Sequence, residues 1–386
     1  MKKIVPAVFL LFACSAAWAG APRLPNDDEI TIAAVGDVML GGRTGPFLVE
    51  NGPDYPYREV MSVLNQADLV AANLESPIST RGAAVKDKQF TLRAEPLAAR
   101  SLKSAGIRVV TLANNHSLDF GPLALQDTLD ALTENDILFT GAGMNLEDAR
   151  SAALVKIKGK TLAFLSYSLT FPVDFYASGG RAGTAPGYAD FVKADILKAR
   201  PKADLVIVSF HWGAELMTTA KEYQIDLGHQ AIDWGADLVL GHHPHVLQEL
   251  ELYKGRLIAY SLGNFVFGSE SNRTNTSMIL LLTFQGNTLV RAGIVPIDVN
   301  NYRVHYQPRI LSGPAAAEAL GGINAASARF KTKLDIAGNT GTILLTPPAT
   351  TAGSAAIGVD TPASLPALTA PMPGSSPRTS SSISAP

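Results

Sequence analysis

Short runs of aliphatic and β-branched residues alternate along the chain with longer stretches whose apolar residues fall three and four apart. The runs at 30–35, 68–72, 109–113, 161–167, 205–210, 237–240 and 257–262 predict strands. The stretches at about 58–66, 95–105, 122–134, 189–199 and 221–234 predict helices, with Pro96 and Pro122 suited to first turns. Helices between strands imply βαβ crossovers and sheets covered on both faces. Past residue 246 the pattern becomes antiparallel. Segments 246–253 and 256–262 flank Lys254-Gly255, and segments 278–284 and 289–297 flank Gly286-Asn287, so each pair reads as a hairpin. Residues 168–188, rich in Gly, Ser and Pro, read as a surface excursion, and 300–345 are poorly patterned.

The two ends fall outside this pattern. Lys2 and Lys3, an apolar stretch and Ala17-Trp18-Ala19 form a secretory signal over 1–19. Leu11-Phe12-Ala13-Cys14 crudely resembles a lipidation site, but Phe12 is bulky for it, so cleavage after Ala19 and a periplasmic or secreted product are expected. Residues 346–386 hold 8 of the chain's 24 prolines, no aromatic residue, and only Asp360 and Arg378 as charges. Such a segment buries too little apolar surface to offset its chain entropy, and it reads as a disordered tail or envelope tether. The expected organisation is a main domain over 28–312, a peripheral appendage over 313–345 and the tail.

Composition narrows the chemistry. A net charge of −2 over 386 residues gives no electrostatic footprint for nucleic acid. The single cysteine excludes an intramolecular disulfide and a polythiolate zinc site. Any metal must be held by His, Asp, Glu and Asn.

Those residues collect where the predicted strands end. The first strand runs into Gly36-Asp37, the second into Asn73-Leu74-Glu75, the third into Asn114-Asn115-His116, the fifth into His211-Trp212-Gly213-Ala214-Glu215 and the sixth into Gly241-His242-His243-Pro244-His245. Gly263-Asn264 follows the seventh. Five of the seven histidines lie in these segments. In open α/β sheets the ligand site lies outside the carboxyl ends of the strands. Each residue alone has an ordinary structural use as a turn former, helix cap or solvated loop residue. Three imidazoles within four residues, stiffened by Pro244, are costly in a loop without metal, and the five strand ends together point to a metal site. Imidazole and carboxylate without thiolate suit Mn, Fe or Zn, and the inventory suffices for two ions. Such a pair clamps a phosphoryl group and acidifies water, with His116 as the acid for the leaving oxygen.

In order, GDVML, NLESP, LANNHSLDFG, the Gly141–Gly143 GAG, SFHWGAE, GADLVLGHHPHVLQ and YSLGNFVF resemble the bacterial CapA/PgsA family of poly-γ-glutamate capsule biosynthesis proteins. That family is a branch of the calcineurin-like metallophosphoesterases. The resemblance implies a four-layer α/β/β/α sandwich with two mixed sheets and the metals at the strand ends. It implies Asp37, Glu75, Asn115, His211, His243 and His245 as ligands and His116 as the catalytic group. His242, Asn73, Glu215 and Asn264 stand as additional candidates. Either His242 or His243 pairs with His245, and His243 is preferred because it gives histidine-x-histidine spacing. Two positions depart from the superfamily pattern: Met39 stands where a histidine is usual, and Glu75 where an aspartate is usual.

Three functions compete at this level. The first is an exported metal-dependent hydrolase of a phosphoester or anionic envelope polymer. The second is a non-catalytic accessory factor working with capsule synthesis or export machinery, its metal site structural or vestigial. The third is a periplasmic binder that holds an anionic polymer through metal. Envelope association is expected through the tail or, with less support, a lipidated Cys14.

Overall fold

A computed structural model describes residues 28–268 and 270–345; the expected signal, Cys14 and the tail lie outside the described residues. Strand alternation builds the layers. Along Glu29–Met39, Ile30, Ile32 and Ala34 enter one apolar cluster while Ala33, Val35 and Val38 enter another. Along Leu205–His211, Leu205 and Ile207 join the first of these clusters, and Val206, Val208 and Phe210 join a third. The shared cluster is therefore the seam between two sheets. The other two lie under helices: Gly121–Glu134 contributes Leu125, Leu129 and Leu132 on one side, and Ala189–Ala199 contributes Val192 and Ile196 on the other. The result is the expected order of helices, sheet, sheet, helices. Both faces of each sheet are covered, which is why the strands read as near-continuous apolar runs. Each fully buried aliphatic side chain contributes roughly 1.5–3 kcal/mol.

The first sheet has ten strands and the second six. In the first, Glu29–Met39 is parallel to Leu69–Leu74, which is parallel to Ile107–Thr111. In the second, Lys160–Ser168, Leu205–His211 and Leu238–His242 are mutually parallel. Both predicted hairpins form, as Leu250–Tyr253 with Arg256–Ala259 and Thr276–Gln285 with Thr288–Asp298.

The expected strand over 257–262 is shorter, and the difference matters for the site. It ends at Ala259, and the chain then crosses to the first sheet as Asn264–Phe267, parallel to Glu29–Met39 with Asn264 opposite Asp37. Glycines permit the crossing. A Cβ on Gly241 would lie 1.9 Å from the Tyr260 carbonyl oxygen, and one on Gly36 would lie 2.0 Å from that of Gly263.

Other boundaries also differ. The helix expected over 58–66 breaks into a 3-10 turn at Tyr55–Tyr57 and a single turn at Met61–Leu64, and the helix Thr44–Asn51 gave no clear periodic signal. Residues 313–345 form the helix Gly313–Ser327 and the hairpin Leu334–Ala337 with Thr340–Ile343, which extends the edge of the first sheet beyond Thr288–Asp298. Segment 168–188 carries the turn Val173–Phe175 and the short strand Gly183–Thr184, which pairs with Ala142–Gly143. Among the described residues, no helix is long and apolar enough to cross a membrane.

Candidate metal centre

Six strand termini, four from the first sheet and two from the second, bring the polar residues together. Asp37 lies near the end of Glu29–Met39, Asn73 near the end of Leu69–Leu74 with Glu75 just beyond, and Asn115 and His116 in the turn after Ile107–Thr111. His211 and His242 end their strands, His243 and His245 follow, and Asn264 opens the crossing strand. Asp37 and Glu75 are fully buried, and His211, His242 and His243 nearly so.

Three sets of side chains each place one potential ligand atom per residue within 4.8 Å of the others: Asp37, Glu75 and His245; Glu75, His211 and His243; and Glu215, His243 and His245. Glu75 belongs to two of these. Its Oε1 lies 3.5 Å from His211 Nε2 and 3.7 Å from His245 Nε2, yet has no hydrogen-bond partner. His243 Nδ1 is likewise buried and unpartnered. A buried polar atom without a partner forfeits about 1–3 kcal/mol. Two such atoms among imidazoles and carboxylates fit a divalent cation. Asn115 belongs to the second set by proximity, its Oδ1 lying 2.8 Å from His211 Nε2.

The remaining candidates hold this donor set in place. The Asn73 Nδ2 amide donates to Asp37 Oδ1 at 2.9 Å and to Glu75 Oε2 at 3.2 Å, while its Oδ1 accepts from Asn114 Nδ2 at 3.1 Å. Asn73 is thus a clamp on two carboxylates. His242 points its Nδ1 at Asp37 Oδ1, 3.0 Å away, and falls outside all three sets, whereas His243 belongs to two. Asn264 Oδ1 lies 2.9 Å from His245 Nδ1 and fixes that ring. The backbone is strained around the same turn: His243 has φ +95° and His245 φ +58°, a region non-glycine residues rarely occupy. Met39 is fully buried, so an apolar side chain fills the position where a histidine is usual.

Charge follows this geometry. Burial raises the Asp37 carboxyl, but hydrogen bonds from His242 and His245 outweigh it and hold Asp37 well below the ordinary range. Burial and then the Asp37 charge push Glu75 well above it. Burial opposes the charged form of His245, but Glu75 and Asp37 raise it to about 10. Burial and the His245 charge lower His243 to about 3, and burial and His243 lower His211. His211 and His243 are therefore neutral imidazoles, the form that binds metal.

His116 carries two neighbours the strand-end pattern did not single out. Its Nδ1 lies 2.6 Å from Asp119 Oδ2, and Lys88 forms an ion pair with the other Asp119 oxygen. Lys88 Nζ also donates to the Asn115 carbonyl at 2.5 Å and sits over the Phe175 ring. Asp119 had a signal, since it falls within LANNHSLDFG three residues after His116. Lys88 had none: it arrives from a loop outside any patterned segment.

The comparison with known proteins rests on this same stretch. The model of the bacterial capsule synthesis protein PGA_cap family matches residues 31–269, which span every candidate residue from Asp37 to Asn264. The chain belongs to that family. A similar family member is the PGA biosynthesis protein CapA of Bacillus subtilis strain 168, 33% identical over 304 residues, covering 77% of this chain and 80% of that protein. Another is the capsule biosynthesis protein CapA of Bacillus anthracis, 34% identical over 281 residues, covering 71% of this chain and 68% of that protein. Among solved structures, the calcineurin-like phosphoesterase YfkN of Bacillus subtilis aligns with a TM-score of 0.41 at 15% identity, covering 68% of this chain and 87% of that one.

Proposed function

We propose that this protein is an exported metal-dependent hydrolase of poly-γ-glutamate capsule biosynthesis, acting on a phosphoester or on the anionic polymer itself. The observation that carries the reading is Glu75 Oε1, buried, unpartnered and shared between two donor sets. Asp37, Glu75 and His245 would hold one divalent ion, and Glu75, Asn115, His211 and His243 a second, with Mn, Fe or Zn suited to these donors. When bound, such ions supply Lewis acidity and acidify a water molecule.

The chain's own residues do the rest. Asn73 holds Asp37 and Glu75 in register, and Asn264 fixes the His245 ring. Asp119 accepts from His116 Nδ1, which leaves Nε2 as the nitrogen that exchanges protons; burial lowers this imidazole, so Nε2 would first take up the proton released by the attacking water and then pass it to the leaving oxygen. The metal, rather than a basic patch, would grip an anionic substrate, since the net charge is −2. The signal read over 1–19 would send the product to the periplasm or outside the cell, and the tail, or a lipidated Cys14, would give any attachment to the envelope.

Met39 favours a second reading, in which the protein is a non-catalytic accessory factor of capsule synthesis or export with a structural site. Hydrolysis separates the two. Metal-saturated protein should cleave a generic phosphodiester or γ-glutamyl polymer, and Asp37→Ala or His245→Ala should abolish turnover. Stoichiometric metal with no turnover on either substrate class would remove the hydrolase reading.

A further inference from the structure

The two ion positions are unequally supplied. The position bounded by Glu75, His211 and His243 also has Asn115 Oδ1, 2.8 Å from His211 Nε2, whereas the position bounded by Asp37, Glu75 and His245 has three donors. Both share Glu75, which is fully buried. One further carboxylate lies beside both positions. Glu215 is exposed and places an oxygen within 4.8 Å of ligand atoms of both His243 and His245, the histidines that divide between the two positions.

The loop carrying Glu215 is tied to the histidine turn rather than hanging free. Trp212 N donates to the His242 carbonyl at 3.1 Å, and Leu216 N donates to the Pro244 carbonyl at 2.8 Å. Gly213 turns at φ +90°, its N–H donating to the Tyr223 hydroxyl at 2.6 Å, and Leu216 adopts φ +62°. A left-handed leucine immediately after the acid is a conformation most side chains avoid, and here it aims the loop back at the imidazoles. Two strained turns laced together by backbone hydrogen bonds make a built edge to the site.

We infer that Glu215 is a metal ligand on the exposed rim of the site, supplying a fourth donor beside His245 to the three-donor position. Its exposure has a chemical consequence: an incoming anionic group can displace this carboxylate without disturbing a buried one. The inference rests on the two-ion reading proposed above.

The test is calorimetric titration of metal-free protein with Mn2+ and with Zn2+, comparing wild type with Glu215→Gln and Glu215→Asp. Because Glu215 is exposed, the metal-free variants should melt at the wild-type temperature. Wild type should bind two ions. Glu215→Gln should hold the first ion with unchanged affinity and the second at least about tenfold more weakly, with a smaller metal-induced rise in Tm, and Glu215→Asp should fall between. Two ions bound by Glu215→Gln with wild-type affinities would overturn the assignment while leaving the two-ion reading intact. A wild-type protein that binds no second ion would overturn both.

Discussion

Replacing Asn73 by alanine should damage the site without touching a ligand. Asn73 donates through one amide nitrogen to Asp37 Oδ1 and Glu75 Oε2, and both carboxylates are fully buried. Asp37 is ionised, so that donation is worth roughly 1.5–3 kcal/mol. Glu75, raised by burial and then by the Asp37 charge, is the weaker acceptor, and its share is roughly 0.5–1.5 kcal/mol. Asn114 Nδ2 loses Asn73 Oδ1 but keeps the Leu74 carbonyl at 2.7 Å, whereas the Thr111 hydroxyl, which donates to Asn73 Oδ1 at 3.3 Å, loses that acceptor. Water entering the vacated polar space recovers part of the loss. The expected net cost to metal-free protein is about 3 kcal/mol, read as a lower urea midpoint at unchanged slope. Metal affinity should fall about 10–100-fold, because the two carboxylates no longer share a fixed register. A variant that unfolds at the wild-type urea concentration and binds metal within twofold of wild type would refute the clamp.

Two further perturbations probe the charge state and the crossover. In metal-free protein His245 is protonated at neutral pH, being raised to about 10, and Glu75 is raised as well, whereas His211 and His243 are already neutral. Metal binding at pH 7 must therefore expel the His245 proton, about one per protein, and affinity should climb with pH until about 10. Calorimetry in buffers of different ionisation enthalpy reads that release, and a value of zero would contradict the assignment of His245. Gly241→Ala would put a Cβ 1.9 Å from the Tyr260 carbonyl oxygen, where only backbone movement makes room. It should cost about 3 kcal/mol, and a change in unfolding free energy below about 0.5 kcal/mol would show that the crossing segment is not held there.

The strand ends were legible in the sequence because each parallel strand is apolar on both faces, so its first polar residue marks where it leaves the layers. That rule points to Asp37, Glu75, His211 and the histidine turn from the sequence alone. It did not sort ligands from supports. Asn73 and His242 carry the same residue chemistry as Asn115 and His243, and only the three-dimensional hydrogen bonding shows that they face Asp37 instead. Lys88 stayed hidden because a loop lysine has no periodic signature and acquires meaning only beside Asp119. The crossing of 260–264 between sheets was also unreadable, since Ser261 and Leu262 continue a strand-like pattern while the close approaches at Gly36 and Gly241 depend on distant segments. The helix Gly313–Ser327 escaped for a simpler reason: it is rich in alanine, with buried Ala316, Leu320 and Ile323 giving only a weak stripe.

The central claim is a pair of ions sharing Glu75, and anomalous scattering from crystals soaked in Mn2+ or Zn2+ tests it most directly. The account predicts two peaks per chain, one bounded by Asp37, Glu75 and His245 and the other by Glu75, Asn115, His211 and His243, with His242 ligating neither. A single peak away from Glu75, or one ligated by His242, would contradict it.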